Sequence, residues 1–407
     1  MNIIKATYSI NTPMFLGSAD NRTAEIRPTS FNGMIRYWFR ALALAELDGD
    51  MKEVERLEDI IFGSAKDKNS HKALYSLKIA NSNISIKENK NRLNKENRQG
   101  IVYLGYGVIS YKREARGPIY ERDYIKQGGS IEISLIQNEG IKNRVLEEDL
   151  KLAQKLLINT LKVLGIFGGL GSRTRRGFGS LTLIDLKNKD EPLVTSPYCG
   201  NVEALENEIK ELLKKAVDFG KSIEDIKYTA FSKFTKVMIT KEYDNPMKLL
   251  DEIGKEMIRY RSCGRGWKIL DGEDSSKIFE SDHDLIYEFS NTGKIKEHPK
   301  RVVFGLPHNY WLSNRKTVNI NSDYRRASPL FIHVHKLANG KYIGILTLIP
   351  TKFLKDREKI KIIQYDNSRR KRTVEYEKTI KEVEVSYKYI EEYLDWVVNK
   401  LSGCVII

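Results

Sequence analysis

The sequence predicts an α+β protein made of two fused ferredoxin-like domains with insertions, and three observations carry that expectation. Its 407 residues exceed the usual size of one domain. Over roughly the first 190 residues, period-2 and period-3.6 hydrophobic patterns alternate as strand, helix, strands, helix, glycine-rich loop and strand, the order of a βαββαβ unit. Residues 227–407 then echo that order. The expected division is a first ferredoxin-like domain at 1–190, a linker with a helix at 191–226, and a second such domain at 227–407.

Residues 3–10 are rich in β-branched and aromatic types and end at Asn11-Thr12-Pro13, a strand followed by a turn. Pro28, with Thr29 and Ser30, starts a helix that runs to Leu47. From Phe31 to Leu47 its only charges are Arg36, Arg40 and Glu46, so it should be largely buried. A short amphipathic helix at 52–62 closes at Phe62-Gly63, and 73–79 reads as a strand. The polar, lysine- and asparagine-rich stretch 84–100 is expected to be a mobile insertion. Strands are predicted at 101–110 and 131–136. An amphipathic helix over 148–164 has apolar residues at 150, 153, 156, 157, 161 and 164, and a strand follows from Ser180.

In the second half a helix is expected over 201–219 and a strand over 228–239. Asp244-Asn245-Pro246 then caps a helix ending at Arg261. Residues 271–300 read as polar loop. Strands are predicted at 301–312, 325–337 and 341–350, and a basic run, Arg369 to Arg372, precedes a closing helix that ends at Leu401.

Lysine and arginine number 69 against 54 acidic residues, a formal net charge of +15, which favours an acidic partner, nucleic acid before an anionic membrane surface. No run approaches the roughly 18 apolar residues of a spanning helix, and no lipidation signal is present, so no membrane partner is expected. The N-terminal twenty residues lack the pattern of a secretory signal. Cys199, Cys263 and Cys404 have no CxxC spacing, which argues against a disulfide framework or a cysteine zinc site and for a cytoplasmic setting. Six histidines include no HExxH, so neither a metal nor another cofactor is expected.

The most specialised stretch is 168–180, GGLGSRTRRGFGS, in which Gly169, Gly171, Gly177 and Gly179 frame Arg173, Arg175 and Arg176. Glycines let another chain approach closely, and guanidinium forks suit phosphate oxygens. A Walker A loop would need a Gly-Lys-Ser/Thr that is missing. Arg36 and Arg40 share a helical stripe with Gly33 and must face either an anion or an internal carboxylate, for which Asp20 and Glu25 are the candidates. Arginines recur beside glycine and aromatic residues at Arg265, Arg325 and Arg326. Trp38, Phe178, Trp267, Tyr310 and Trp311 are available either to stack on bases or to fill the core. His333 and His335 point to one face of a strand; with His308 they are the histidine candidates for a metal-independent ribonuclease base, a role a tyrosine could also fill, and no third group orients the pair.

The loop Gly169-Leu170-Gly171, five residues, Gly177-Phe178-Gly179 fits the glycine signature GhGxxxxxGhG of the RAMP proteins of CRISPR effector complexes. Within that superfamily the chain resembles the first-numbered RAMP subunit family of type III-B (Cmr) complexes. The resemblance rests on Thr12-Pro13, Phe15-Leu16-Gly17, Glu25 to Pro28, Gly33 to Arg40, Phe304 to Pro307 and Arg325 to Leu330, in the family's order over about residues 5–350. Tyr37-Trp38 departs from a more usual pair of tryptophans. The resemblance implies two RRM-like domains and a non-catalytic subunit that contacts the 3′ region of crRNA and the target RNA beside other Cmr subunits. Arg36, Arg40, Gly169, Gly171, Arg173, Arg175, Arg176, Gly177, Phe178, Arg325 and Arg326 are the expected RNA-binding residues. The alternative is a metal-independent endoribonuclease processing CRISPR repeat RNA.

Overall fold

The computed structural model describes residues 2–19, 23–65, 70–87, 99–112, 117–189, 191–194, 198–263, 270, 275–312, 316–367, 373–381 and 383–407. The chain opens with β1 (Ile3–Ile10), α1 (Pro28–Glu46), α2 (Met51–Phe62) and β2 (Tyr75–Asn83). An insertion contributes β3 (Ile86–Lys87), α3 (Gln99–Leu104), β4 (Ile109–Lys112), β5 (Gly117–Tyr120) and β6 (Tyr124–Ile125). Then follow β7 (Ser130–Gln137), α4 (Glu139–Lys142), α5 (Glu147–Phe167), β8 (Leu181–Asn188), β9 (Glu191–Pro192) and α6 (Val202–Leu212). The first sheet has the order β2-β7-β1-β8-β9 and is antiparallel throughout. Without the edge strand β9, that is the strand order of the ferredoxin-like plan.

β1 shows why the sheet has a helical side. Ile4, Ala6, Tyr8 and Ile10 are buried while the intervening residues are only half-buried, the period-2 signature of one covered face. α1 and α5 supply the cover, and the Tyr8 hydroxyl donates to the Leu161 carbonyl of α5 at 2.9 Å. Pro28 sits in the first turn of α1, where no N–H is needed. Trp38 is buried in the core, stacked on Phe231 at 5.8 Å and packed on Phe331 at 5.4 Å, so it is not a base-stacking platform.

The second half contains β10 (Lys236–Ile239), α7 (Pro246–Arg261), α8 (Glu280–Thr292), β11 (His308–Trp311), β12 (Lys316–Ser322), β13 (Leu330–Lys336) and β14 (Tyr342–Leu348). It closes with β15 (Ile360–Asp366), β16 (Thr373–Ile380), α9 (Lys388–Leu401) and β17 (Cys404–Val405). One sheet runs β13-β14-β10-β17. With α7 after its first strand and α9 after its third, it repeats the order of the first half. The remaining sheet, β11-β12-β15-β16, is built from insertions on either side of the β13–β14 hairpin. The cap of α7 is the one its sequence announces: Asn245 Oδ1 accepts the backbone N–H groups of Met247 and Lys248, a contribution of about 1 kcal/mol.

Five expected elements differ. Residues 101–104, expected in a strand, are helical, and only Ile109–Lys112 is extended. The cause is tertiary: α3 presses against α7 so closely that a Cβ on Gly100 would lie 2.0 Å from the Asp251 carbonyl oxygen, and one on Gly254 2.4 Å from that of Gly100. Residues 280–292, expected to be loop, form α8, held by Ile286 and Phe289, too few apolar positions to stand out in a polar sequence. The strand expected over 228–239 is confined to Lys236–Ile239, and that over 301–312 becomes a 3-10 turn, Lys300–Phe304, before β11. The helix of the linker stops at Leu212. Most of the insertion expected to be mobile, 88–98, and the basic run 369–372 lie outside the described residues, as do Asp20, Arg265 and Trp267.

Candidate nucleic-acid interface

The glycine-arginine loop leaves α5 and returns as β8, folded against both halves. Gly171, at φ 90°, lies where a Cβ would stand 2.6 Å from the Phe15 carbonyl oxygen; Gly179, at φ 63°, would place one 2.0 Å from that of Leu170. Neither position can hold a side chain. Gly169 packs on Gly179, and Gly177 lies against Leu250 of α7. The expected glycines therefore serve close packing inside the protein. Phe178, expected at RNA, is fully buried and packs on Phe15 with ring centroids 5.5 Å apart, leaving no face for a base.

The arginines divide by partner. Arg36 and Arg40 both converge on Glu58 of α2: Arg40 Nε is 2.5 Å from Oε2 and Arg36 Nη2 is 2.5 Å from Oε1. Their counter-charge is thus neither Asp20 nor Glu25. Burial acts to raise the Glu58 pKa, and hydrogen bonds from Arg40 and Arg36 overcome it, so the carboxyl stays below its ordinary 4.5. Arg175 donates to the Ser328 carbonyl at 2.6 Å and to the Tyr37 hydroxyl at 3.0 Å, and its guanidinium lies 4.4 Å from the Phe331 ring centroid. Arg176 donates to Met257 Sδ at 3.0 Å. Arg326 reaches the buried Glu358 at 3.5 Å.

Arg173 and Arg325 remain exposed, and among the described residues neither has a carboxylate partner. Arg173 takes a positive φ of 67° at the loop tip, which turns its side chain onto the turn at Tyr106 and Gly107, within 3.2 Å of where a Gly107 Cβ would be. Burial of its head, followed by the positive charges of Arg122 and Arg325, lowers its pKa against the opposing pull of Tyr106. Arg122 and the 68%-exposed Tyr106 thus join the site, though nothing in their local sequence singles them out. An uncompensated cluster of guanidiniums beside an exposed ring is a phosphate-and-base surface in chemical terms. Of the other ring candidates, Tyr310 is buried and Trp311 is 75% exposed on β11.

The histidines offer no such surface. His333 and His335 are 1% and 0% exposed, and burial lowers their pKa values to about 3 and about 4. His333 Nδ1 lies 2.8 Å from the Gly168 carbonyl and His335 Nε2 3.3 Å from that of Cys199, so the pair joins β13 to the first half. Among the described residues no group of three or more His, Cys, Asp or Glu side chains is placed to hold a metal, and no helix is long and apolar enough to cross a membrane.

The sequence profile of the RAMP superfamily matches residues 7–182, which run from β1 through the glycine-arginine loop into β8. Over that stretch the chain is similar to the RAMP superfamily. It is 23% identical over 347 residues to the CRISPR system Cmr subunit Cmr1-1 of Pyrococcus furiosus, covering 85% of this chain and 86% of that protein. It is 27% identical over 177 residues to Cmr1-2 of the same organism, covering 42% of this chain and 89% of the relative. Among solved structures, apo Cmr1 from Pyrococcus furiosus superposes with a TM-score of 0.55 at 18% identity, over 100% of this chain and 99% of the other. A chain of the type III-B Cmr-β complex bound to cognate target RNA superposes with a TM-score of 0.51 at 13% identity, over 98% and 99%. At these identities the structural likeness is one of fold.

Proposed function

We propose that this protein is a non-catalytic, RNA-binding subunit of a type III-B CRISPR effector complex, built from two fused ferredoxin-like domains at 1–190 and 227–407 joined by 191–226. It works in the cytoplasm beside other Cmr subunits and contacts the 3′ region of crRNA and the target RNA. The observation that carries this reading is the pair of exposed arginines Arg173 and Arg325, joined by the half-buried Arg122 and without a carboxylate partner among the described residues, beside Tyr106. The relatives, one of them in a complex bound to target RNA, support the assembly and the partner. Phosphate contacts supply most of the affinity and little sequence readout. The ribonuclease alternative loses support because His333 and His335 are sealed from any 2′-hydroxyl and too weakly basic to take its proton at neutral pH.

The test is binding of single-stranded RNA across a salt series by the wild type and by a triple alanine variant at Arg122, Arg173 and Arg325. Each phosphate contact contributes about 0.7 to the log-log slope, so three lost contacts flatten it by about two. An unchanged slope would assign the trio to a protein contact instead. Cleavage of repeat RNA in EDTA would favour the endoribonuclease.

A further inference from the structure

A second group of arginines lies inward of Arg122, Arg173 and Arg325. Arg176 bonds to Met257 of α7, and Arg261, four residues later, shares that helix face. The Arg261 guanidinium lies 4.4 Å from the Phe304 centroid in the 3-10 turn Lys300–Phe304. Three residues earlier in the same turn, Arg301 lies over Phe279 and Tyr310 at 5.3 and 5.2 Å, and the Phe279 and Phe304 rings meet edge-on at 6.2 Å. Arg261 is only 7% exposed, and its Nε, the Nε of Arg301 and the Nε2 of His308 are buried without a hydrogen-bond partner.

The nearby carboxylate, Asp282, accepts the backbone N–H groups of Lys300 and Arg301 at 2.8 and 2.7 Å. No ion pair reaches Arg176, Arg261 or Arg301 among the described residues. Mutual repulsion is felt: burial and the neighbouring Arg261 bring Arg176 down to about 10, and burial with Arg261 and Arg301 holds His308 well below the ordinary imidazole range. Ring faces offset part of the cost of burying a cation, and three cations with one committed carboxylate leave a positive excess.

We propose that Arg176, Arg261 and Arg301 form an internal phosphate-binding site, entered past the half-buried Arg176 and Arg301, with His308 Nε2 and the free guanidinium N–H groups as donors. A phosphate group suits it because its oxygens match several planar forks at once, which a monatomic anion does not. The group belongs either to an RNA or to a free phosphate ion. This site uses none of Arg122, Arg173 and Arg325 as ligands and does not depend on their role, although Arg173 lies near enough to add its charge to Arg176.

The experiment is thermal unfolding of the full chain in sodium phosphate against sodium chloride at matched ionic strength, with Arg261→Met and Arg261→Lys variants. The wild type is expected to show a saturable rise in Tm with phosphate beyond that with chloride, and the variants at least a tenfold weaker half-saturation. In phosphate-free buffer Arg261→Met should melt at or above the wild-type temperature, because removing an uncompensated buried charge relieves the fold. Arg261→Lys retains the charge without the fork and serves should the methionine variant fail to fold. Parallel titrations with a terminally phosphorylated trinucleotide and its unphosphorylated form identify the source: saturation by inorganic phosphate assigns a free ion, and saturation by the phosphorylated RNA alone assigns an RNA phosphate. Equal responses to phosphate and chloride with no gain from the phosphorylated RNA, or variants that respond like wild type, would overturn the proposal.

Discussion

Arg175 donates a hydrogen bond to the carbonyl of Ser328 at 2.6 Å, across 153 residues of sequence. That bond fastens the glycine-arginine loop of the first half to the strand entry of the second. Its neighbours reinforce it, since the backbone carbonyl of Arg175 accepts the Ile332 N–H at 3.1 Å and Asn11 Nδ2 donates to the Val334 carbonyl at 2.7 Å. The loop that looks from its composition like a polyanion clamp is, through this arginine, also a clamp between the two sheets.

Replacing Arg175 with alanine is therefore expected to destabilise the protein by about 2–4 kcal/mol, the sum of charge-assisted hydrogen bonds and a ring contact. Lysine should rescue little, because one ammonium cannot reach Ser328, Tyr37 and Phe331 in the planar geometry of a guanidinium. Urea unfolding midpoints measure both, and a wild-type midpoint for the alanine variant would show the bond to be dispensable.

Glu58→Gln probes the paired arginines. It should cost about 1–3 kcal/mol, below the full penalty for a broken buried pair because Arg36 and Arg40 remain partly solvated. The folded-state pKa of Glu58 lies below its ordinary 4.5, so its contribution is present above that value and disappears as pH falls through the folded pKa. The variant should show a shallower loss of stability below pH 4.5. If Arg36 and Arg40 also bear on RNA, releasing them should tighten RNA binding at low salt, which the same protein can report.

His333 and His335 predict a second acid-sensitive step at higher pH. Their folded values of about 3 and about 4 lie below the ordinary 6.5, so the unfolded chain binds protons that the folded one refuses. Stability should be full above about pH 6.5 and decline as pH falls toward those values, by up to about 1.4 kcal/mol per pH unit for each histidine. Denaturant midpoints between pH 7 and 4.5 would reveal it, and His335→Asn should remove about half the slope.

Gly254→Ala tests the packing that made residues 99–104 helical. Its Cβ would meet the Gly100 backbone at 2.4 Å, a contact with no flexible side chain to yield. A loss of about 1–3 kcal/mol is expected, together with faster hydrogen exchange confined to α3 and β4. Unchanged exchange there would mean that α3 forms without α7.

How far the sequence can be read follows from how local each signal is. β1, α1, α5, α7 and α9 were legible because a repeat of two or 3.6 residues and a proline or asparagine cap are contained within the segment itself. α3 and α8 were not, because their apolar faces exist only against α7 and the inserted sheet. In the site, the loop and its arginines stood out, whereas Arg122 and Tyr106 did not, since their approach to Arg173 is made by the insertion's fold.

The sequence by itself determined the α+β class, the repeated order of elements, the excess of positive charge and the glycine loop that fits the RAMP signature. Tertiary structure decided what each arginine does: Arg36 and Arg40 face Glu58, Arg326 faces Glu358, Arg175 bridges the halves, Arg176 turns inward, and Arg173 and Arg325 meet solvent. The physical reason is that a guanidinium's role depends on where the compensating charge lies. For these residues that charge, or its absence, is set by chain segments from tens to more than a hundred residues away, which no local pattern encodes.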